Sequence, residues 1–394
     1  MTMQTIASAH PSPDAATPPF RADHVGSLLR APDLKSARET LLGPHTADAN
    51  IGPHDNEALK AIEDQHIRGA IAMQKRVGLK LATDGELRRR SWMLELFLGW
   101  DGVGATRSGG GPIKWRNETG TSQDMTEFRI NRPIRWGPSA IVRAFEFLKD
   151  ETDLVPKVGL PSPCVVHYFL EKGGKLDSKV YSDQQSFWSD LIGAFQCEVA
   201  ALTAAGATYI QIDDVCFAYL CDPIHRAHVK SRGYEPDALV QLYANKINEA
   251  ISAAPRHVTF TLHTCRGNRE GHWVAEGAYD AVAEVLFNEI NVQAFFLEYD
   301  SERAGSFGPL RFLPAGKKAV LGLVSSKVPT LESEAALVKR IDEAARVVPL
   351  DQLAISPQCG FASSYRGNPL TLKQQEAKLR RVVEVAERVW GTAG

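Results

Sequence analysis

Short apolar runs alternate with amphipathic segments along most of the chain, and this alternation constrains the fold more than any other feature. Two weaker runs lie at Ala22–Val25 and Cys164–Tyr168. Six clearer runs have the length and composition of buried strands: Leu79–Thr83, Tyr209–Asp213, His257–His263, Val292–Glu298, Ala319–Leu323 and Leu353–Ile355. Strands that alternate with helices are expected to pair in parallel, with the helices covering the sheet. About eight such units predict an α/β fold that closes into a (β/α)8 TIM barrel.

The segments between these runs carry apolar residues at helical spacing, as Leu59, Ile62 and Ile67 show in Asn56–Val77. The others of this kind are Gln185–Ala205, Pro236–Ala254, Ala278–Asn288, Leu331–Val348 and Leu372–Val389. Only Trp100–Trp136 breaks the rhythm, with a run of glycines and alternating polar segments, and it predicts a hairpin-like insertion at one end of the barrel. We therefore expect one barrel domain over residues 20–394. Residues 1–19, rich in Ala, Ser, Thr and Pro, are expected to form a disordered leader.

Composition argues against two classes of partner, nucleic acids and membranes. The 394 residues are 44% hydrophobic and 23% charged, with a formal net charge of -2. This balance gives no support to a nucleic-acid or membrane partner, and no apolar run reaches the roughly 18 residues of a membrane span. Six scattered cysteines in a long chain without a secretory signal favour the reducing cytoplasm over a disulfide framework. Thiols in that compartment are available as metal ligands.

The sharpest local signal is His263-Thr264-Cys265, directly after the apolar run Val258–Leu262. Side chains alternate along a strand, so His263 and Cys265 are expected to point the same way. They would lie at the C-terminal end of a barrel strand, where barrel enzymes build their active sites. An imidazole and a thiolate in this arrangement can chelate one ion, although a packed core cysteine beside a hydrogen-bonded histidine is the simpler alternative.

Two further strand ends carry metal-type ligands. The run Val292–Leu297 ends on Glu298, and Leu353–Ile355 leads to Cys359. Each has an ordinary alternative, since Glu298 could pair with Arg303 and Cys359 could be a buried turn residue. Because independent strands deliver nitrogen, sulfur and oxygen donors to one end of the same architecture, we predict a zinc site.

The predicted ligand set, His263, Cys265, Glu298 and Cys359, indicates the chemistry. A free thiol has a pKa near ~8.5 and is mostly neutral at physiological pH, whereas Zn²⁺ deprotonates a coordinated thiol. Two cysteine thiolates and a carboxylate make the zinc electron-rich, and such a centre keeps a bound thiolate nucleophilic. Zinc hydrolases usually use histidines and carboxylates instead. The set therefore favours alkylation of a small thiol over hydrolysis.

These residues resemble the cobalamin-independent methionine synthase family, in which a barrel-bound zinc is held by His, Cys, Glu and Cys in this order. The matching segments are His263-Thr264-Cys265, Phe296-Leu297-Glu298-Tyr299-Asp300-Ser301 and Ser356-Pro357-Gln358-Cys359-Gly360. The resemblance implies transfer of a methyl group to homocysteine, giving methionine, with methyltetrahydrofolate as the family's donor. The resemblance covers only the catalytic barrel of the family's longer, two-barrel enzymes.

The resemblance also implies a site for an amino-acid substrate. Gly26 and Ser27 match a Gly-Ser pair that contacts the substrate carboxylate, while Glu86 and Asp213 match two acids that bind its amine. Both acids end predicted strands and are placed to receive an ammonium group; helix capping is the alternative for Glu86, for Asp213 and for Ser27. His24, three residues before Ser27, is expected either to line the pocket or to lie in the core.

Two departures from the family pattern leave the methyl donor open. Where the family's folate enzymes carry a tryptophan that stacks on the pterin, this chain has His167 and Tyr168. Where the family has a catalytic histidine after the seventh strand, this chain has Lys327, which could act as an acid toward the leaving group, bind an anionic group, or lie at the surface. We assign Lys327 and Asp213 as the expected catalytic residues.

The expected function is zinc-dependent methyl transfer to homocysteine in the cytoplasm, with a homo-oligomer left open. The alternative keeps the zinc and changes both substrates, as in the related epoxyalkane:coenzyme M transferases. Glu86 and Asp213 argue against it, because a sulfonate thiol has no ammonium group to bind. A third possibility, a metal-free relative of uroporphyrinogen decarboxylase, would not need His263, Cys265 or Cys359. The last, a scaffold protein, would be excluded by zinc binding together with thiol alkylation.

Overall fold

The computed structural model describes residues 17–43, 53–108, 113–117, 120–122, 125–170 and 176–394. The leader predicted for residues 1–19 lies outside the described residues except at 17–19. No helix in these ranges is long and apolar enough to cross a membrane.

A seven-stranded parallel sheet organises the chain, and each strand pairs with the next in chain order apart from the insertion. Its strands are β1 Leu81–Ala82, β6 Val155–Pro161, β7 Tyr209–Asp214, β8 Thr259–Thr264, β9 Ala294–Glu298, β10 Lys318–Val324 and β11 Leu353–Pro357. An eighth position is filled by Ala22, which forms a parallel bridge to Ile355. On its other side, Thr83 Oγ1 donates to the carbonyl oxygen of Gly26 at 2.7 Å. The first segment therefore lies between β11 and β1, and the predicted TIM barrel is confirmed.

Amphipathic helices cover the sheet, as predicted. The longest helices in the described ranges are Glu57–Val77, Ala140–Glu151, Gln184–Ala204, Pro236–Ile251, Glu334–Ala345 and Leu372–Trp390. Shorter helices lie at Pro32–Leu42, Leu94–Phe97, Cys164–Tyr168, Cys216–Tyr219, Pro223–Ser231 and Ala283–Glu289. The last long helix shows how sequence sets such an element: Thr371 and Gln374 form a capping box at its start, and Gly391 ends it in the left-handed conformation. Its buried Leu379 and Val383 lie four residues apart, on one face.

The insertion predicted at 100–136 is present as a hairpin. Strand β2, Asp101–Ser108, pairs antiparallel with β5, Met125–Arg135. Between them, β3 Trp115–Asn117 pairs with β4 Gly120–Ser122. Phe128 of β5 is buried and meets the ring of Phe97 edge-on, with 5.4 Å between centroids. Backbone bonds between Arg116 and Trp273 then attach the hairpin to the loop that follows β8, so the insertion lies over the C-terminal end of the barrel.

One predicted strand is wrong. Cys164–Tyr168 forms a short helix, and the strand of this unit is Val155–Pro161. This strand could not be recognised in the sequence because Pro156 and Lys157 interrupt its apolar pattern. Lys157 is nevertheless fully buried, since its ammonium lies 2.8 Å from Asp23 Oδ1 and donates to the His24 carbonyl oxygen at 2.6 Å. A buried charge of this kind is stable when it is paired.

Candidate metal centre and active-site cavity

Three metal-type ligands converge at the C-terminal ends of two barrel strands. One donor atom each of His263, Cys265 and Cys359 lies within 4.8 Å of the other two, and all three side chains are buried. Strand β8 carries His263 and leads directly into Cys265, while Cys359 follows β11 by two residues. Parallel strands end at the same face of the barrel, which is why residues almost a hundred positions apart meet here. A buried set of one imidazole and two thiols fits the donor preferences of zinc.

The charges within this cluster are coupled. A hydrogen bond with Cys359, together with burial, raises the pKa of the Cys265 thiol well above its ordinary value. Burial lowers the pKa of His263, but the hydrogen bond and charge of Asp213 outweigh burial and raise it. Asp213 Oδ1 lies 3.0 Å from His263 Nδ1. A proton held on Nδ1 leaves the Nε2 lone pair available for a metal, the arrangement in which a carboxylate orients a metal-binding histidine.

Glu298 lies beside this cluster rather than within it. Its Oε2 accepts from the backbone N–H of Arg266 at 2.9 Å, and its Oε1 lies 3.4 Å from Lys327 Nζ and 3.6 Å from Arg303 Nη2. Burial opposes its ionisation, but Lys327, Arg266 and Arg303 together lower the pKa of Glu298 to about 2. The ion pair with Arg303 that the sequence offered as an alternative is therefore present.

A pair of carboxylates, from Glu86 and Asp213, lies next to the cluster. A methyl group placed on Gly159 would come 2.8 Å from Asp213 Oδ2 and 3.4 Å from Glu86 Oε1, so both carboxylates border the same small space. Arg89 Nη1 lies 3.3 Å from Glu86 Oε1. Burial raises the pKa of Glu86 to about 7, an effect that Arg89 opposes and Asp213 reinforces. Glu86 also has a φ of 56°, a left-handed conformation that non-glycine residues rarely adopt.

The cluster and the carboxylate pair open into one cavity. His263, Cys265, Cys359, Glu86 and Asp213 all contribute to its lining. The hairpin supplies part of the wall, including Arg107 and Trp115, and the rest of the wall carries further aromatic and basic side chains, among them Trp92, Phe169, Arg90 and Arg269. A ligand in this cavity can therefore contact the three metal-type donors, two acids and an aromatic surface at once.

Residues 178–388 match the family model for the catalytic domain of cobalamin-independent synthases. The chain belongs to the cobalamin-independent methionine synthase family. The uncharacterized protein YxjG of Bacillus subtilis is 39% identical over 99% of this chain and 100% of its own length. The methionine synthase of Pyrococcus abyssi is 26% identical over 77% of this chain and 76% of its own. A solved structure from Listeria monocytogenes, of a candidate vitamin-B12-independent methionine synthase, is 34% identical with a TM-score of 0.71, covering 95% of this chain and 98% of that one.

This membership places the chain in a family of methyltransferases and confirms the resemblance drawn from the motifs. The matched range contains the three clustered donors, Asp213 and Lys327. Gly26, Ser27 and Glu86 lie outside it. In the structure, Ser27 lines the cavity, and Gly26 lies so that an added methyl group would come 3.5 Å from Glu86 Oε1. Ser27 also contacts the Cys359 loop, because its carbonyl oxygen accepts from Phe361 N–H at 2.9 Å.

Three residues expected at the substrate site do not line the cavity that holds the cluster and the carboxylate pair. His24 Nε2 lies 2.9 Å from Gln74 Oε1 in the core, and burial lowers its pKa to about 3. His167 Nδ1 lies 2.9 Å from the hydroxyl of Tyr243. The hydroxyl of Tyr168 lies 2.7 Å from Nδ1 of His225. Because Cys164–Tyr168 is helical, its side chains leave the cavity wall, and Phe169 is the aromatic residue that reaches it.

Lys327 is buried, with 3% of its surface exposed, so the surface position considered as an alternative is wrong. Burial alone would lower its pKa, but Glu298, Asp300 and the two clustered cysteines raise it. The side chain is therefore a buried ammonium beside the metal-type donors. It does not line the cavity, and its Nζ donates to Glu298 Oε1 at 3.4 Å.

Sequence patterns did not point to Asn268, which lines the cavity in the loop after Cys265. Its side-chain N–H donates to the carbonyl oxygen of Gly360 at 2.7 Å, and its side-chain oxygen accepts from Asn368 at 2.8 Å. These bonds fix the loop that carries Cys359. The only signal in the sequence is its position three residues after Cys265, within a loop that follows a predicted strand.

Proposed function

We propose that this protein transfers a methyl group to the thiolate of homocysteine and forms methionine, using zinc held by His263, Cys265 and Cys359. The observation that carries the proposal is one cavity that holds both a buried nitrogen–sulfur–sulfur cluster and, beside it, a pair of carboxylates. Family membership supports the reaction class. A zinc bound there would supply ionisation of the substrate thiol at neutral pH.

The chain's own residues would hold the amino-acid end of homocysteine. Glu86 and Asp213 border one space and can share the substrate ammonium between them. Ser27 lines the same cavity next to the Cys359 loop, and its hydroxyl can donate to the substrate carboxylate. Burial of all three excludes water and strengthens these contacts. The substrate sulfur is then directed toward the cluster.

We assign the methyl donor to the aromatic part of the cavity. Trp92, Trp115 and Phe169 offer faces on which a flat ring can stack, and methyltetrahydrofolate is the donor that the family implies. Lys327 would keep positive charge beside the reacting sulfur, which favours departure of an anionic leaving group. The coenzyme M alternative is disfavoured, because a sulfonate would face the negative charges of Glu86 and Asp213.

The decisive experiment combines metal analysis with a donor screen. Purified protein would be analysed for zinc and then incubated with homocysteine and one donor at a time: methyltetrahydrofolate, its triglutamate form, or another methyl donor. We expect one zinc per chain and methionine with at least one donor. Activity that persists after complete removal of zinc would disprove the mechanism. Alkylation of coenzyme M in preference to homocysteine would favour the alternative.

A further inference from the structure

Arg30 is a buried arginine whose guanidinium binds main-chain carbonyl oxygens, and only 3% of its surface is exposed. Its Nη2 donates to the carbonyl oxygens of Glu86 and Arg89, at 2.5 and 2.7 Å. Its Nη1 lies 3.4 and 3.3 Å from those of Ala362 and Ser364 and donates to both. One buried side chain therefore joins the loop after β1, which carries Glu86, to the loop after β11.

Glu86 has a backbone conformation that needs this support. It follows Gly85, and both residues have a positive φ, 66° for Gly85 and 56° for Glu86. A turn with two such residues in succession favours glycine, asparagine or aspartate, so a glutamate here is strained. Both of its peptide groups are held, because the Asp84 side chain accepts from its N–H at 2.9 Å and Arg30 binds its carbonyl oxygen. Glycine would fit without strain, so the glutamate is explained by its carboxylate, which borders the same space as that of Asp213.

Arg30 also lies on the same short segment as Ser27, the residue proposed to bind the substrate carboxylate. This segment contacts both loops. The Leu28 N–H donates to a carbonyl oxygen of the loop after β1, and the Ser27 carbonyl oxygen accepts from an N–H of the loop after β11, both at 2.9 Å. The segment therefore lies between the two loops, and Arg30 fixes the position of Glu86 relative to Ser27.

The charge of Arg30 acts on Glu86 as well. Burial lowers the pKa of Arg30 to about 10, so its guanidinium stays charged at neutral pH. Burial raises the pKa of Glu86 to about 7; Arg89 and Arg30 oppose this effect, whereas Asp213 and Asp84 reinforce it. Loss of Arg30 would therefore release the backbone of Glu86 and also favour its protonated form.

We propose that Arg30 is a positioning residue for the amino-acid substrate, because it holds Glu86 in the conformation that presents its carboxylate to the substrate ammonium. It also keeps that carboxylate in place relative to Ser27, so that the two ends of one amino acid are bound together. Arg30 does not line the cavity and acts only through the residues that it holds. This inference rests on the proposed function, because it requires a substrate whose ammonium binds to Glu86 and Asp213.

The experiment compares two ligands that differ only in the amine, methionine and 4-(methylthio)butanoate. Their affinities are measured by calorimetry at pH 8, on zinc-loaded proteins with equal zinc content. The wild type should prefer methionine. In Arg30→Met, we expect this preference to fall about tenfold or more, while the affinity for 4-(methylthio)butanoate changes less than about threefold, because the displaced carboxylate serves only the amine.

Arg21→Met is the matched control. Arg21 Nη1 also donates to two carbonyl oxygens, those of Asp351 and Leu353, but at the start of β11, at the opposite end of the barrel from the cavity. This variant should keep the wild-type preference for methionine. A loss of preference equal to that of Arg30→Met would show that Arg30 contributes only to general stability, and would overturn the inference.

Arg30→Lys keeps the positive charge but replaces the forked guanidinium by a single ammonium. We expect its preference for methionine to lie between those of the wild type and Arg30→Met, and it takes the place of Arg30→Met if that variant does not fold. Wild-type preference in Arg30→Met, or in Arg30→Lys where it alone folds, would overturn the inference and leave the proposed function standing. A wild-type protein that binds both ligands equally would overturn both.

A double-mutant cycle shows whether Arg30 acts through Glu86. Glu86→Gln removes the charge that binds the ammonium, so adding Arg30→Met to it should reduce methionine affinity by less than about threefold further. If the loss in the double variant equalled the product of the two single losses, Arg30 would act independently of Glu86 and the inference would be overturned.

Discussion

Asp213 and His263 are joined by a hydrogen bond of 3.0 Å between Oδ1 and Nδ1, and this contact connects the candidate metal centre to the substrate site. The two residues are register partners on adjacent strands β7 and β8. Oδ1 of Asp213 also accepts from the Gln211 side chain at 2.7 Å, whereas Oδ2 faces the space beside Gly159 and Glu86. One carboxylate can therefore orient a metal-binding histidine with one oxygen and bind an ammonium with the other.

Substitutions of Asp213 should separate these two roles. Asp213→Asn keeps an oxygen that can accept from His263 but loses the negative charge, so homocysteine affinity should fall about 10-fold or more while zinc affinity changes little. Asp213→Ala loses both and should also weaken zinc binding by about 10- to 100-fold. Isothermal titration with each ligand measures both affinities. Undiminished homocysteine binding in Asp213→Asn would show that the acid does not bind the substrate.

The two clustered cysteines should be needed for zinc and for activity together. In Cys265→Ala or Cys359→Ala, we expect zinc content close to zero after dialysis and no detectable methionine formation, since each removes one of the two proposed sulfur ligands. Cys197→Ser is the matched control, because Cys197 is an exposed free cysteine far from the cluster in sequence. Its zinc content and rate should equal those of the wild type. A cluster variant that retains stoichiometric zinc would contradict the assignment.

Glu86 should make product binding depend on pH. Because burial raises its pKa to about 7, Glu86 becomes protonated below that pH and can no longer pair with an ammonium group. Methionine affinity in the wild type should therefore fall by up to about tenfold per pH unit below pH 7 and level off above it. Methionine is the suitable probe, since it carries no thiol that titrates in this range. Glu86→Gln should bind more weakly at pH 8 and show a flat profile between pH 6 and 8; an unchanged slope in that variant would assign the titration to another group.

The fold was largely predictable because parallel barrel strands are short and apolar. The run Val292–Glu298 contains the observed Ala294–Glu298, and Tyr209–Asp213 falls one residue short of the observed strand. The strand Val155–Pro161 was missed because its buried Lys157 is neutralised by Asp23, a residue 134 positions away. A sequence pattern that equates burial with apolar character cannot detect a long-range ion pair of this kind.

The positions of the site residues were predictable where a single strand carries them, and less predictable where several loops bring them together. His263 and Cys265 follow from the alternation of a strand, and Cys359 from the end of another. The environment of Glu298 depends on Arg266, Arg303 and Lys327, which converge from three loops, so its pairing could only be offered as an alternative. Trp115 reaches the cavity through the hairpin, and nothing in its local sequence indicates this.

Lys327 should also contribute to stability. Lys327→Met leaves the buried carboxylate of Glu298 without its nearest ammonium, and breaking a buried pair in this way is expected to cost about 3 kcal/mol in the free energy of unfolding. The double variant with Glu298→Gln removes both charges and should cost less than Lys327→Met alone. Urea denaturation of metal-free protein measures all three values and keeps zinc binding out of the comparison. A double variant destabilised by the full sum of the two single variants, or by more, would show that the pair is not coupled as proposed.

Gly159→Ala tests the carboxylate pair without changing any charge. The added methyl group would lie 2.8 Å from Asp213 Oδ2, closer than carbon and oxygen normally approach, and 3.4 Å from Glu86 Oε1. Gly159 does not have a positive φ, so the backbone accommodates alanine and the effect is purely steric. Asp213 must then move out of the shared space, and we expect methionine affinity to fall by about 1–3 kcal/mol.

Gly193→Ala is the control, since a methyl group on Gly193 meets nothing within 4 Å. Zinc content should match the wild type in both variants, because His263 can keep its contact with Oδ1. If Gly159→Ala bound methionine as tightly as Gly193→Ala does, the ammonium would have to bind somewhere other than between Glu86 and Asp213.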